Sequence, residues 1–155
     1  MSFQIHSLDP APFAPLFDLS DGELAAKRAR RVTAERPDAY PCRVSLTDAA
    51  LGDTLILANF THMDIASPYY ASHAVYIRSG AERAMLEPGE VPEMLSRRLL
   101  SLRGFDRDGL IQAADLLQGE KLANRLADIL ADPAIEFVDM HIARPGCFAA
   151  RATRA

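Results

Sequence analysis

The chain has 155 residues, and its 17 Lys+Arg against 21 Asp+Glu leave a net charge of −4. That balance disfavours a nucleic-acid partner reached through phosphate contacts, because no net positive field exists to draw one in. With 49% apolar and 25% charged residues the composition is that of a globular domain and not a disordered segment. No stretch approaches the roughly 18 apolar residues of a membrane span, and residues 1–20 lack a basic, then apolar, secretory pattern. A single cytoplasmic domain over residues 1–155 is expected, long enough to bury about two-thirds of the surface of its unfolded form. In that reducing setting Cys42 and Cys147 should be free thiols.

In chain order, alternation over Phe3–Leu8 predicts a first strand, and prolines 10, 12 and 15 allow only a turn or so after it. Ser20-Asp21-Gly22-Glu23 is a capping box opening a short helix to about Ala29. Lys27, Arg28, Arg30 and Arg31 gather at its end, where cations complement the helix dipole. Val32 belongs to a strand, Arg36–Pro41 is loop, and Cys42–Leu46 reads as extended. Thr54–Phe60 is a near-continuous apolar run that predicts a central strand buried on both faces, with His62 at its end. Asp64–Ser67 is loop, since Pro68 biases its predecessor away from helix, and Ala74–Arg78 is the next strand.

Pro92 starts a short helix containing Leu95 and Leu99, and Phe105–Leu110 reads as a hairpin turn between extended arms. A helix continuing to Arg103 is the rival reading. Glu120–Ala131 has Leu122, Leu126, Ile129 and Leu130 on one face, the clearest helix in the chain, and Asp132-Pro133 stops it. Ile135–Ile142 is a strand with Val138, Met140 and Ile142 on one side and Asp139 and His141 on the other. Pro145-Gly146 turns the chain, and Cys147–Ala152 forms the last strand. The expected class is α+β: a mainly antiparallel sheet of five to seven strands with two or three helices packed against it.

Three short words, Tyr40-Pro41-Cys42-Arg43-Val44, Ser67-Pro68-Tyr69 and Ala143-Arg144-Pro145-Gly146-Cys147, stand in this order across most of the chain. In them the sequence resembles an uncharacterised bacterial family, domain of unknown function number 1203. The chain departs from that pattern after Ser72, with His73-Ala74 where the family has Gly-Pro. The resemblance implies no activity, but it suggests that the three words belong to one site.

Two chemistries follow from the residues. In the first, Cys42, Arg43, Ser67, Tyr69 and Arg144 line a pocket whose guanidiniums clamp a small anionic ligand in a bidentate fork. In the second, Asp139 and His141, about 7 Å apart at Cα on one strand face, form an orienter and a base. Cys147 is then the nucleophile that His141 activates. A purely structural role in protein association is the third reading, and oligomeric state is not legible. Cys42, Cys147, His62 and His141 have the ligand types for zinc but no close C-x-x-C or H-x-x-x-H spacing, so neither metal nor cofactor is expected. His73, in an apolar, tyrosine-rich segment, reads as a packed core or edge residue.

Overall fold

The structure is a computed structural model that describes residues 2–155. Eight strands form two antiparallel sheets, with three short α-helices, so the class is α+β as expected. The strands do not join in one sheet. β1 (Phe3–His6), β5 (Leu99–Phe105), β6 (Ile111–Gln118), β7 (Phe137–Ile142) and β8 (Phe148–Arg154) make a five-stranded sheet in the order β1-β8-β7-β5-β6. β2 (Ala29–Thr33), β3 (Thr54–Met63) and β4 (Ala71–Arg78) make a three-stranded one. Among the described residues no helix is long and apolar enough to cross a membrane.

The local signals explain most of these elements. The Ser20 side chain accepts from Glu23 N–H while the Glu23 carboxylate accepts from Ser20 N–H, so the capping box forms and starts α1 (Asp21–Ala26). The helix stops earlier than expected because Arg28 takes a left-handed conformation (φ 55°) and the chain enters β2. The turn after Phe105 is a hairpin, so the rival helix to Arg103 does not form. Cys42–Leu46 is not a strand: a turn with Leu46 at φ 52° replaces it, flanked by an antiparallel bridge from Pro41 to Asp48 and a parallel one from Cys42 to Tyr76. β3 is longer and more open than its apolar run suggested. Ile56 and Ala58 are buried, but Asn59 is exposed and β3 continues through His62 to Met63.

The main core lies on one face of the five-stranded sheet. Leu122, Leu126, Ile129 and Leu130 of α3 (Leu122–Leu130) meet Leu100, Leu102, Val138, Met140 and Ile142 of the strands, with Met94 and Leu95 of α2 (Glu93–Ser96) closing one end. Each such fully buried side chain contributes about 1.5–3 kcal/mol by leaving water. The three-stranded sheet has its own cluster around Leu24, Cys42, Val44, Ile56, Ala58, Val75 and Ile77. Val138, Met140 and Ile142 point into the helix-covered core, so strand alternation sends Asp139 and His141 to the other face, toward the three-stranded sheet.

Glycine packing locks α2 to the turn that precedes α3. A Cβ on Gly119 would stand 2.0 Å from the Leu95 carbonyl oxygen, a backbone atom that cannot swing away. Gly119→Ala should therefore cost about 3 kcal/mol, the upper end of overpacking penalties. Gly22→Ala, in α1 with open space around it, should instead stabilise by up to about 1 kcal/mol. Leu126→Ala should cost about 2–5 kcal/mol by leaving a cavity beneath α3. Urea unfolding of the three variants checks all of these, with an unchanged m-value expected in each.

Candidate functional site

Two β-bulges decide which side chains reach the seam between the sheets. In the β3–β4 pair the register steps from Thr61↔Ser72 to Met63↔Ala71, which makes His62 the extra residue. In the β7–β8 pair Met140↔Ala150 is followed by His141↔Phe148, which leaves Ala149 without a partner opposite. Such bulges bend the strand and re-aim neighbouring side chains. Here they sit beside His62 and His141, the two fully enclosed imidazoles of the molecule.

Asp139 is completely buried. Across the β7–β8 ladder Arg151 binds it through both nitrogens of a fork, Nε to Oδ1 at 2.6 Å and Nη2 to Oδ2 at 3.0 Å. His62 Nδ1 approaches Oδ2 at 3.4 Å. Burial alone would raise the Asp139 carboxyl, but the hydrogen bonds from His62 and Arg151 outweigh it and hold the group below its ordinary value. A carboxylate only accepts, so the His62 Nδ1 carries the proton. The same logic applies to His141, whose Nδ1 lies 3.0 Å from the Gly146 carbonyl oxygen. Gly146 makes that turn at φ 79°, a conformation glycine adopts without strain.

In a neutral ring a proton on Nδ1 leaves Nε2 as a lone pair. The His62 Nε2 stands 2.8 Å from Nδ1 of His73, on the adjacent strand. The His141 Nε2 is buried and finds no hydrogen-bond partner among the described residues. One nitrogen of each of His62, His73 and His141 falls within 4.8 Å of the others. The His62 ring is near-parallel to the rings of His73 and Phe148, with centroids 4.8 Å from each. His141 meets His62 edge-on at 5.0 Å. Burial, with the nearby Arg103 guanidinium adding to it, pushes the His141 imidazole down to about 3 and keeps it neutral at physiological pH. His73 is half-buried and also shifted down, first by burial and then by His62.

Beyond Phe148 the seam opens into a cleft of about 780 Å³. Arg36, Arg43, Arg97, Arg98 and Arg144 stand on its walls with Cys147. Arg97 is paired with Asp38 and Glu93, and Arg98 with Asp48. Arg43 differs from these. It is 2% exposed, and its Nε and Nη1 donate to the carbonyl oxygens of Phe148 (2.8 Å) and Pro41 (2.7 Å), with no carboxylate beside it among the described residues. Burial lowers its guanidinium to about 10, so it is still a cation at neutral pH.

Of the residues nominated from sequence, Arg43, Arg144 and Cys147 share this cleft. Cys42 adjoins it but is buried, its Sγ accepting from Arg78 N–H at 3.3 Å. Ser67 and Tyr69 lie elsewhere: the Ser67 hydroxyl donates to the Gly109 carbonyl and the Tyr69 ring packs on Phe105. The reason is strand length. Leu57 of β3 lines the cleft, and the strand runs on to Met63, so the turn that follows lies about 20 Å or more away at roughly 3.3 Å per residue. Nor do Cys147, His141 and Asp139 line up as nucleophile, base and orienter. Asp139 serves His62 and Arg151, and His141 spends Nδ1 on Gly146 while its ring packs among the other imidazoles. Both cysteines are free thiols.

His73, which reads from sequence as a packed core or edge residue, stands instead beside His62 and His141. A signal for it exists: His62 and His73 stand five residues before Ser67 and five after Pro68, so any hairpin turning at Ser67-Pro68 brings them together.

No curated protein and no solved structure matched this chain. The family model described as Protein of unknown function (DUF1203) matches residues 39–154, a span that holds β3 to β8, the three imidazoles, Asp139, Arg151 and Arg43. The chain therefore belongs to the DUF1203 family of proteins of unknown function.

Proposed function

We propose that this protein binds a small anionic molecule, a carboxylate or a phosphate, in the arginine-lined cleft, with Arg43 as anchor and Arg144 as the cation at the entrance. The observation that carries the reading is a buried charge without a counter-ion. Two backbone carbonyls solvate the Arg43 guanidinium in part, and its Nη2 has no protein partner among the described residues. A buried charge costs several kcal/mol unless it is paired. A carboxylate or phosphate in the cleft would supply that pairing through the planar fork that guanidinium presents. Arg36 and Arg144 are exposed and have no carboxylate within ion-pair distance among the described residues, so they add attraction at the rim. We read the protein as cytoplasmic, where Cys42 and Cys147 stay reduced.

Thermal-shift titration with inorganic phosphate and with small mono- and dicarboxylates tests the proposal. At least one class should raise Tm progressively with concentration, reaching about 2.7 kcal/mol of stabilisation at a hundredfold excess over Kd. Arg144→Ala should weaken that binding about tenfold or more, the effect of losing one charge-assisted hydrogen bond. Arg43→Lys, which keeps the charge but loses the fork, should weaken it as well. Ligand-free melting of each variant shows that the fold survives. If the ligand effect is undiminished in either variant, the shared pocket is wrong.

A further inference from the structure

We propose that His62, His73 and His141 form a binding site for one divalent transition-metal ion of the zinc class, held between the two sheets. This site rests on geometry and is independent of the anion cleft. The chain has four histidines, and three of them converge from β3, β4 and β7 until one nitrogen of each lies within 4.8 Å of the others. The fourth, His6, sits on β1 against Thr153 and takes no part.

Three further features fit a metal and no ordinary core. First, the Nδ1–H of each enclosed ring is already committed to an acceptor, Asp139 for His62 and the Gly146 carbonyl for His141. Metal-ligating histidines are held in this way by a carboxylate or a carbonyl, which fixes the tautomer and aims the other lone pair at the ion. Second, the His141 Nε2 is a lone pair on a side chain with 0% exposure and no donor to satisfy it. Left bare, such a buried acceptor costs about 1–3 kcal/mol. An ion would satisfy it.

Third, the side chains are close to the spacing a metal needs. Tetrahedral Zn–N bonds of about 2.0–2.1 Å place ligand nitrogens roughly 3.3 Å apart. The His62–His73 pair, at 2.8 Å, must open a little, and all three nitrogens already lie within 4.8 Å of one another. His73 would give up its Nδ1 proton and carry it on Nε2. Because His73 is only half-buried, it is the side from which the ion enters. Three imidazoles leave one coordination position unfilled by protein, as in zinc sites that hold water or substrate. Arg103, whose Cα faces Asp139 across the β5–β7 ladder, works against a cation here, and Asp139 works for it.

The test uses the tag-free full chain, stripped of metal and titrated separately with Zn²⁺ and Co²⁺. One equivalent per chain should bind, Zn²⁺ should raise Tm, and Co²⁺ should show the visible bands of a four- or five-coordinate nitrogen site. His73→Ala, at the half-exposed position, should keep the fold and weaken binding by at least about 100-fold. Losing only an outer-shell partner, as in Asp139→Asn, typically costs about 10–100-fold. His6→Ala should change nothing. The proposal is overturned if no stoichiometric ion binds the folded chain, or if His73→Ala binds as well as the parent. Phosphate or carboxylate binding by a chain that rejects metal would leave the cleft reading standing and this one refuted.

Discussion

The buried fork between Asp139 and Arg151 is the interaction on which the rest of the polar architecture depends. A carboxylate with no exposed surface loses its hydration, at an effective penalty of several kcal/mol. Two short bonds from one guanidinium offset that penalty, and the same guanidinium lies 3.8 Å over the Phe137 ring and donates to the His62 carbonyl. Arg151 thus reaches from the five-stranded sheet to β3 and ties the two sheets together at one point. Removing either charge alone would leave the other stranded, so the pair is a structural condition for the histidines that surround it.

The turn between β7 and β8 joins the seam to the cleft. The Gly146 carbonyl holds His141 on one side, while Arg144, Pro145 and Cys147 face the cleft on the other. Phe148, the next residue, stacks its ring on His62 and offers its carbonyl to Arg43. These five consecutive positions between them contact both features. An anion in the cleft and an ion in the seam would be neighbours across a single aromatic ring.

Much of the fold was legible because it rests on local signals. The capping box at Ser20, the apolar stripe of Leu122–Leu130 and the alternation that sends Val138 and Asp139 to opposite faces each have one physical reading, and each forms. The division into two sheets was not legible, since it depends on β8 pairing with β1 and β7 while β2–β4 keep to themselves, and nothing local encodes which edges meet. The site divided in the same way. Arg43, Arg144 and Cys147 meet because the Pro41 and Pro145 turns are spatial neighbours, whereas Ser67 and Tyr69 are carried off by the length of β3. His62 escaped its simple parity because a bulge re-aims it, and bulges leave no mark in an apolar pattern. His73 read as packing when taken alone. Its meaning lies in its distance from a turn.

His62 and His141 are both held with the proton on Nδ1, and in the neutral ring this leaves Nε2 as a lone pair inside the protein. Long-range ¹H–¹⁵N correlation spectra of the imidazole rings, recorded on metal-free chain near neutral pH, measure this directly. The expected result is an Nδ1–H proton on both residues and a neutral ring for His141. An Nε2–H tautomer or an imidazolium at His141 would contradict it, because the buried lone pair on which the seam is built would not exist.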